Sequence, residues 1–335
     1  MKTTFKADIA RNYVKRFTKT SSLTLARKMY IENIEVFKDI EDARSAIRYV
    51  RGVHGKKSRK KATHKELFVP KFSLGNPFGL PKSYANKAKV FTFPKEYDNV
   101  LVISDLHIPY HDVEALSVAI DYGKKHNINA ILINGDLIDF FQISRFMKTK
   151  RKRSIAQELE ATRNVLDVLN KQFPGVPIVY LKGNHCNRLE HYLADKAPEL
   201  LDCEEFRLEE LLQAKKHNMI VLEDNTLVKI GKLNVTHGHL LIRGIFAPVS
   251  AARGVFLKAK ASTLIGHVHK VSQHGETTIN NKTIVCYSTG CLCELNPEYN
   301  PFGNNYNHGF ARVITTPNGH YRVENKQILN GVIVN

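Results

Sequence analysis

One repeated junction constrains this chain more than any other feature: a short apolar run that ends abruptly in a polar cluster. Val100–Ser104 runs into Asp105-Leu-His107, and Ala130–Asn134 into Gly135-Asp136-Leu-Ile-Asp139. Pro177–Leu181 leads to Gly183-Asn184-His185, Leu233–Thr236 to His237-Gly-His239, and Ser262–Ile265 to Gly266-His267-Val-His269. Runs that are apolar at every position, rather than at alternate ones, suit strands buried on both faces. The stretches 112–126 and 154–173 read as helices between the first three. Strand, helix, strand, helix, strand predicts a parallel sheet with crossover helices. Ligands of such sheets gather outside the carboxyl ends of the strands, so the five clusters are expected on one rim. Thr283–Tyr287 reads as a further strand, and 310–329 as an antiparallel pair turning at Asn318-Gly319.

Taken singly, an Asp-x-His or a Gly-Asp is more often a turn or a cap than a ligand. Five such clusters, each after a strand, point to a pair of divalent metal ions. Carboxylate, imidazole and amide oxygen are donors for manganese, iron or zinc. The two side chains of an extended Asp-x-His leave the same face and can grip one ion, and a carboxylate such as Asp136 can bridge two ions about 3.5–4 Å apart. Glycines 135, 183, 238 and 266 let the backbone turn sharply or approach a ligand.

The series Asp105-x-His107, Gly135-Asp136-x-x-Asp139, Gly183-Asn184-His185, His237 and Gly266-His267-x-His269 resembles the calcineurin-like metallophosphoesterase superfamily. The resemblance implies a four-layer α/β/β/α sandwich over residues 98–330, of the α/β class. It also implies that Asp105, His107, Asp136 and His269 hold one metal, and Asp136, Asn184, His237 and His267 the other. Two cations, manganese with iron or zinc as alternatives, would activate a bridging hydroxide for in-line attack on phosphorus. His185 would protonate the leaving oxygen and Asp139 would orient it. Where the family carries Asp or Glu after the Asn-His pair, this chain has Cys186. That change removes no implied ligand, and nothing in the sequence supports covalent catalysis by the thiol. Asp105-Leu-His-Ile-Pro-Tyr-His-Asp112, Gly290–Tyr299 and Asn307-His-Gly-Phe310 further resemble phosphoesterases of phages and mobile elements that carry an N-terminal helical module.

Charge bears on the substrate. The net charge is +18, and residues 1–62 alone carry 17 Lys/Arg against 6 Asp/Glu. An excess this concentrated suggests a polyanion such as nucleic acid; a solubilising tail is the alternative. Residues 1–55 read as a helical module, with a helix from after Ser22 and another from an Asp39 cap to Arg51, stopped by Gly52. Ile40, Ala43, Ile47 and Val50 form its apolar stripe, while Arg44, Arg48 and Arg51 line another side as nucleic-acid contacts, in the manner of a helix-turn-helix. Residues 56–97, basic at first and then broken by four prolines, read as a linker, with Phe91 among the apolar residues expected to lie along the next domain. Lys150, Arg151 and Arg153, in the run 148–153, are further candidate contacts. Arg188, His239 and His111 are candidate substrate contacts, and the loop 299–308 is expected to border the pocket.

These features predict a phosphodiesterase or nuclease. A phosphatase of a protein, nucleotide or small phosphoester would use the same centre, and a nucleic-acid-binding protein with a vestigial site is disfavoured by the full ligand set. Five cysteines at irregular spacing make no disulfide framework. No apolar run is long enough to span a membrane and the first residues lack the apolar core of a secretion signal, so a cytoplasmic protein of a bacterium or phage-infected host is expected. The oligomeric state is not written in these patterns.

Overall fold

A computed structural model describes residues 2–53, 80–81, 83–85, 88–145, 154–242, 249–297 and 304–334. The chain divides into two units, residues 1–86 and 87–335. The basic runs 56–61 and 148–153, with Lys150, Arg151 and Arg153, lie outside the described residues, as do 299–303 of the loop 299–308.

The first unit contains α1 (Lys2–Arg16), α2 (Ser22–Glu32) and α3 (Ile40–Val50). Asp39 caps α3 by accepting the Asp42 backbone N–H at 2.8 Å, and Gly52 follows in the left-handed region. Ala10, Val14, Leu25, Met29, Phe37, Ala43, Ile47 and Val50 form its core. The expected arginine face is only partly there. Arg51 is 2 % exposed and donates to Ser22 Oγ at 3.1 Å and to the Phe17 carbonyl at 3.4 Å. It is a buried strut between helices and is withdrawn as a nucleic-acid contact. Its place just past the last turn of α3 turns it inward, where the chain reverses at Gly52. Arg44 pairs with Glu41 at 2.8 Å, and Arg48 is half-buried.

The second unit begins earlier than the apolar runs suggest. β1 (Val90–Thr92) pairs in parallel with β6 (Leu227–Ile230), so the end of the expected linker is an edge strand. β2 (Asn99–Ile103), α4 (Val113–Lys125), β3 (Ala130–Asn134), α5 (Ile155–Gln172), β4 (Ile178–Leu181), α6 (Asn187–Lys196), α7 (Leu208–Leu211) and β5 (Met219–Leu222) then alternate. The remainder is β7 (Leu233–Thr236), α8 (Ala251–Ala259), β8 (Thr263–Ile265), β9 (Ser272–Thr277), β10 (Thr283–Ser288), β11 (His308–Thr315), β12 (Tyr321–Leu329) and β13 (Val332–Ile333). Among the described residues these strands make a seven-stranded sheet, β13-β12-β11-β2-β3-β4-β5, and a six-stranded one, β1-β6-β7-β8-β10-β9. β2 to β5 are mutually parallel, and β11 closes onto β2 antiparallel.

Period-two alternation explains the layers. Val100 and Val102 of β2, with Ala130, Leu132, Val179 and Leu181, face Val228, Ile230, Leu233, Val235 and Leu264 of the second sheet. Leu101 and Ile103, with Ile131, Ile133 and Tyr180, face the other way, onto Leu116, Ala119, Leu166 and Leu169 of α4 and α5. Ala252 and Val255 of α8 cover the outer face of the second sheet against Ile265, Ile284 and Cys286. Both faces of each inner strand are therefore buried, as the uninterrupted apolar runs require, and the order of layers is α/β/β/α. No described helix is long and apolar enough to cross a membrane.

Candidate metal centre

The polar clusters leave the ends of β2, β3, β4, β7 and β8 and meet. Five of their residues, Asp105, His107, Asp136, His267 and His269, hold positive φ between 45° and 67°. This left-handed geometry folds each loop back as the strand ends, so its donor turns over the rim. Two glycines admit the close approach. A Cβ at Gly183 would stand 2.2 Å from Asp136 Oδ1, and one at Gly135 2.0 Å from His237 Nδ1. The Asp105 carboxylate is oriented by the Ser104 hydroxyl and by the His267 backbone N–H at 2.9 Å.

Donor atoms of Asp105, His107 and Asp136 lie within 4.8 Å of one another, and so do those of Asp136, His237 and His267. Asp136 belongs to both groups. The Nε2 atoms of His107 and His269 are 3.2 Å apart, and His269 Nε2 is 3.3 Å from Asp105 Oδ1. Asn184 Oδ1 and Asp136 Oδ2 each lie 3.2 Å from His237 Nε2. The structure thus brings all seven expected metal ligands to one place.

The fit to cations can be tested on these atoms. His237 Nδ1–H donates to the Asn134 carbonyl at 2.8 Å, which leaves Nε2 as a lone pair facing two oxygens. His107 Nδ1–H donates to Asp139 Oδ1 at 3.0 Å, so its Nε2 lone pair faces Nε2 of His269. Asp105 Oδ1 is fully buried and receives no hydrogen bond among the described residues. Lone pairs converging on one another without protons are stable only around positive charge. The same excess of negative charge draws protons onto these rings where no cation competes for them. Burial works against a charged His237, yet the Asp136 carboxylate raises its pKa to about 9. Burial likewise opposes a charged His269, but Asp105 lifts it well above the ordinary histidine range. His267, disfavoured by burial and by neighbouring His237, falls to about 4 and stays a neutral donor. The residues present fit a pair of divalent cations.

Asp139 does more than the orienting role expected of it. Its Oδ1 is 2.9 Å from His185 Nδ1 as well as 3.0 Å from His107 Nδ1, and Oδ2 is 3.3 Å from Arg188. Burial would raise its pKa, but hydrogen bonds from His107 and His185 outweigh that and hold it below the usual carboxylate range. Arg188 also donates to the Asp139 carbonyl at 2.7 Å and to His185 Nε2 at 3.0 Å. His239 borders the centre, its ring 5.4 Å from that of His237, and its Nε2 is held by Asp224 at 3.1 Å. His111 is half-buried, its backbone bridges to Cys293, and burial lowers its pKa. Cys186 is buried, with Tyr180 Oη at 2.6 Å and the Gly183 N–H donating to it at 3.3 Å. Burial pushes its thiol up to about 12, which removes it as a nucleophile. It ties down the turn that presents Asn184 and His185.

Some contributors escaped the sequence. Ser104, just past β2, and Asn134, the last residue of β3, hold Asp105 and His237, and only their adjacency to the clusters hints at this. Asp224, which grips His239, follows β5 in the polar run Glu223-Asp224-Asn225, which lacks the histidine or glycine that marks the other clusters. Tyr306, in the loop 299–308 expected to border the pocket, packs its ring 4.4 Å from that of His269, and Cys293 Sγ lies 3.9 Å from His269 Nδ1.

The chain is similar to several known proteins. Residues 99–281, more than half of the chain, match the model of the calcineurin-like phosphoesterases. Gene 54 protein of Mycobacterium phage L5 is 27 % identical over 244 residues, 69 % of this chain and 94 % of that protein. Among solved structures, a single mutant (D62A) of Vps29 from Entamoeba histolytica aligns with TM-score 0.37 and 16 % identity, over 70 % of this chain and 96 % of that one. Yfce, a phosphoesterase from E. coli, aligns with TM-score 0.33 and 13 % identity, over 68 % and 98 %. With its rim of metal donors and this match, the chain belongs to the calcineurin-like phosphoesterase family and is a hydrolase of phosphoester bonds.

Proposed function

We propose that this hydrolase cleaves phosphodiester bonds in nucleic acid, using two divalent cations, manganese by preference. The observation that carries the metal half is the set of converging lone pairs on His107, His269, His237, Asn184 and Asp105. Asp105, His107 and His269 would hold one cation, Asn184, His237 and His267 the other, and Asp136 would serve both. Bound there, the cations would supply charge neutralisation at phosphate and a more acidic water. The nucleic-acid half is supported by the net charge of +18 and its concentration in residues 1–62.

The chain's own residues then do the following. Asp139 fixes the rings of His107 and His185 through their Nδ1–H groups. His185 Nε2 is the nitrogen left to deliver a proton to the leaving oxygen. In this structure Arg188 donates to that nitrogen, so the guanidinium must turn from His185 as substrate enters. A phosphate oxygen is the natural new acceptor, because guanidinium and phosphate match in shape and charge. His239, held by Asp224, borders the centre beside His237.

The test is incubation of manganese-loaded protein with labelled single- and double-stranded DNA, RNA, nucleotides and aryl phosphomonoesters and diesters. Cleavage of oligonucleotides and aryl diesters, abolished by chelator, is expected. Hydrolysis confined to phosphomonoesters would replace this reading with a phosphatase.

A further inference from the structure

Beside the metal centre, a cleft of about 800 Å³ opens between the chain segment Gln142–Arg145 and one face of α6. Its construction follows from helix periodicity. Leu189 and Leu193 of α6 are buried in the core. Arg188, His191, Tyr192 and Asp195, at three-to-four-residue spacing, share the outward face and line the cleft. Asn184 and Arg188 belong to both the cleft and the metal centre, so whatever lies in the cleft continues into the reacting site.

The lining has a definite chemistry. Arg188 and Lys196 lie eight residues apart on the helix, about 12 Å along its axis. That is further than a single phosphate reaches. Arg145 faces them from the other wall. Asp195 is the one carboxylate in the lining, and Lys196 Nζ neutralises it at 3.1 Å. Between the cations stands Tyr192, 42 % exposed. An exposed tyrosine alone is ordinary. A tyrosine face between cations, in a cleft leading to a phosphoester site, is the composition that binds unpaired nucleic acid: bases stack on the ring while basic groups follow the backbone. A duplex cannot use it, because its base faces are covered by their neighbours.

We infer that this cleft is the track for a single-stranded polynucleotide, with Tyr192 stacking a base and Arg145 and Lys196 holding flanking phosphates. The inference rests on the nucleic-acid reading above and narrows it to unpaired strands. Arg188, anchored on the Asp139 carbonyl, marks the point where the strand passes from the cleft to the metals.

The test uses the full-length protein and its Tyr192→Ala, Tyr192→Phe and Lys196→Glu variants. Binding of a fluorescent tetranucleotide is measured in chelator, so that nothing is cleaved. Cleavage of a longer single-stranded oligonucleotide and of bis(p-nitrophenyl) phosphate is measured with manganese. Loss of a stacked base should weaken tetranucleotide binding about tenfold in Tyr192→Ala and raise KM for the oligonucleotide by a similar factor. Tyr192→Phe, which keeps the ring, should stay within about twofold of the parent, and Lys196→Glu should weaken binding most at low salt. Cleavage of single strands by the parent with the same tetranucleotide affinity in Tyr192→Ala would overturn the track and leave the nuclease reading intact. Equal losses in Tyr192→Phe and Tyr192→Ala would overturn the stacking role. Tyr192-dependent binding without any cleavage by the parent would overturn the nuclease reading instead.

Discussion

Asp139→Asn is the most informative single substitution, because one carboxylate serves two imidazoles. Oδ1 accepts from His107 at 3.0 Å and lies 2.9 Å from His185 Nδ1. The amide keeps an oxygen at that position but loses the charge. Charge-assisted hydrogen bonds contribute about 1.5–3 kcal/mol against about 0.5–1.5 kcal/mol for neutral ones, so each bond weakens by about 1 kcal/mol. The His107 share falls on a proposed metal ligand, and removal of a buried negative charge beside two dications adds to it. Partners of metal-binding histidines typically account for about 10–100-fold in affinity, the range expected here. The His185 share falls on leaving-group protonation. Asp139→Asn should therefore lower manganese affinity by isothermal titration and also lose more rate on alkyl than on nitrophenyl esters. Unchanged manganese affinity would refute the coupling of Asp139 to the metal through His107.

His185→Ala separates the two halves: about 10²–10⁴-fold should be lost on an alkoxide leaving group and much less on nitrophenolate, with metal content by elemental analysis unchanged. His237→Ala should lose metal and turnover, whereas His239→Ala, whose imidazole is held by Asp224, should keep its metals and lose only part of the rate. Gly183→Ala would drive a methyl to 2.2 Å from Asp136 Oδ1 and 2.6 Å from its backbone nitrogen; destabilisation of about 1–3 kcal/mol in thermal melts, with loss of metal, is expected. Residues 87–335 alone should keep metals and hydrolyse aryl diesters, while a salt titration should show weaker oligonucleotide binding than the full chain; equal binding would assign the basic N-terminal residues another role.

How much of this was legible in the sequence follows from what each signal depends on. Uninterrupted β-branched runs announced β2, β3 and β4, because burial on both faces leaves no polar position. The ligand clusters were legible because each sits at such a run's end. β1 was hidden: three residues, largely exposed at its first and last, lie in a proline-interrupted stretch and become a strand only by pairing with β6. The division into two sheets was carried by the family resemblance and not by the apolar runs, since strand identity is local but strand partnership is not. Arg51 misled because an arginine at the end of a helix reads as surface, and only the packing of α1 and α2 shows the donors that Ser22 and Phe17 engage. Asp139 was assigned one imidazole where the fold gives it two, a contact across 32 residues that no spacing rule encodes.

The left-handed backbone at Asp105, His107, Asp136, His267 and His269 limits where such a centre can live. Each side-chain-bearing residue held there costs about 1–3 kcal/mol, so five together cost at least roughly 5 kcal/mol. That is comparable with the whole net stability of an ordinary domain. The donor set is therefore not portable: the same residues transplanted to a small sheet or a helical bundle would relax into commoner conformations and scatter. At these five positions the backbone alone would favour glycine, and the chemistry forbids it. Substitutions selected only for a firmer scaffold would be drawn to this rim first, and would dismantle the site as they succeeded.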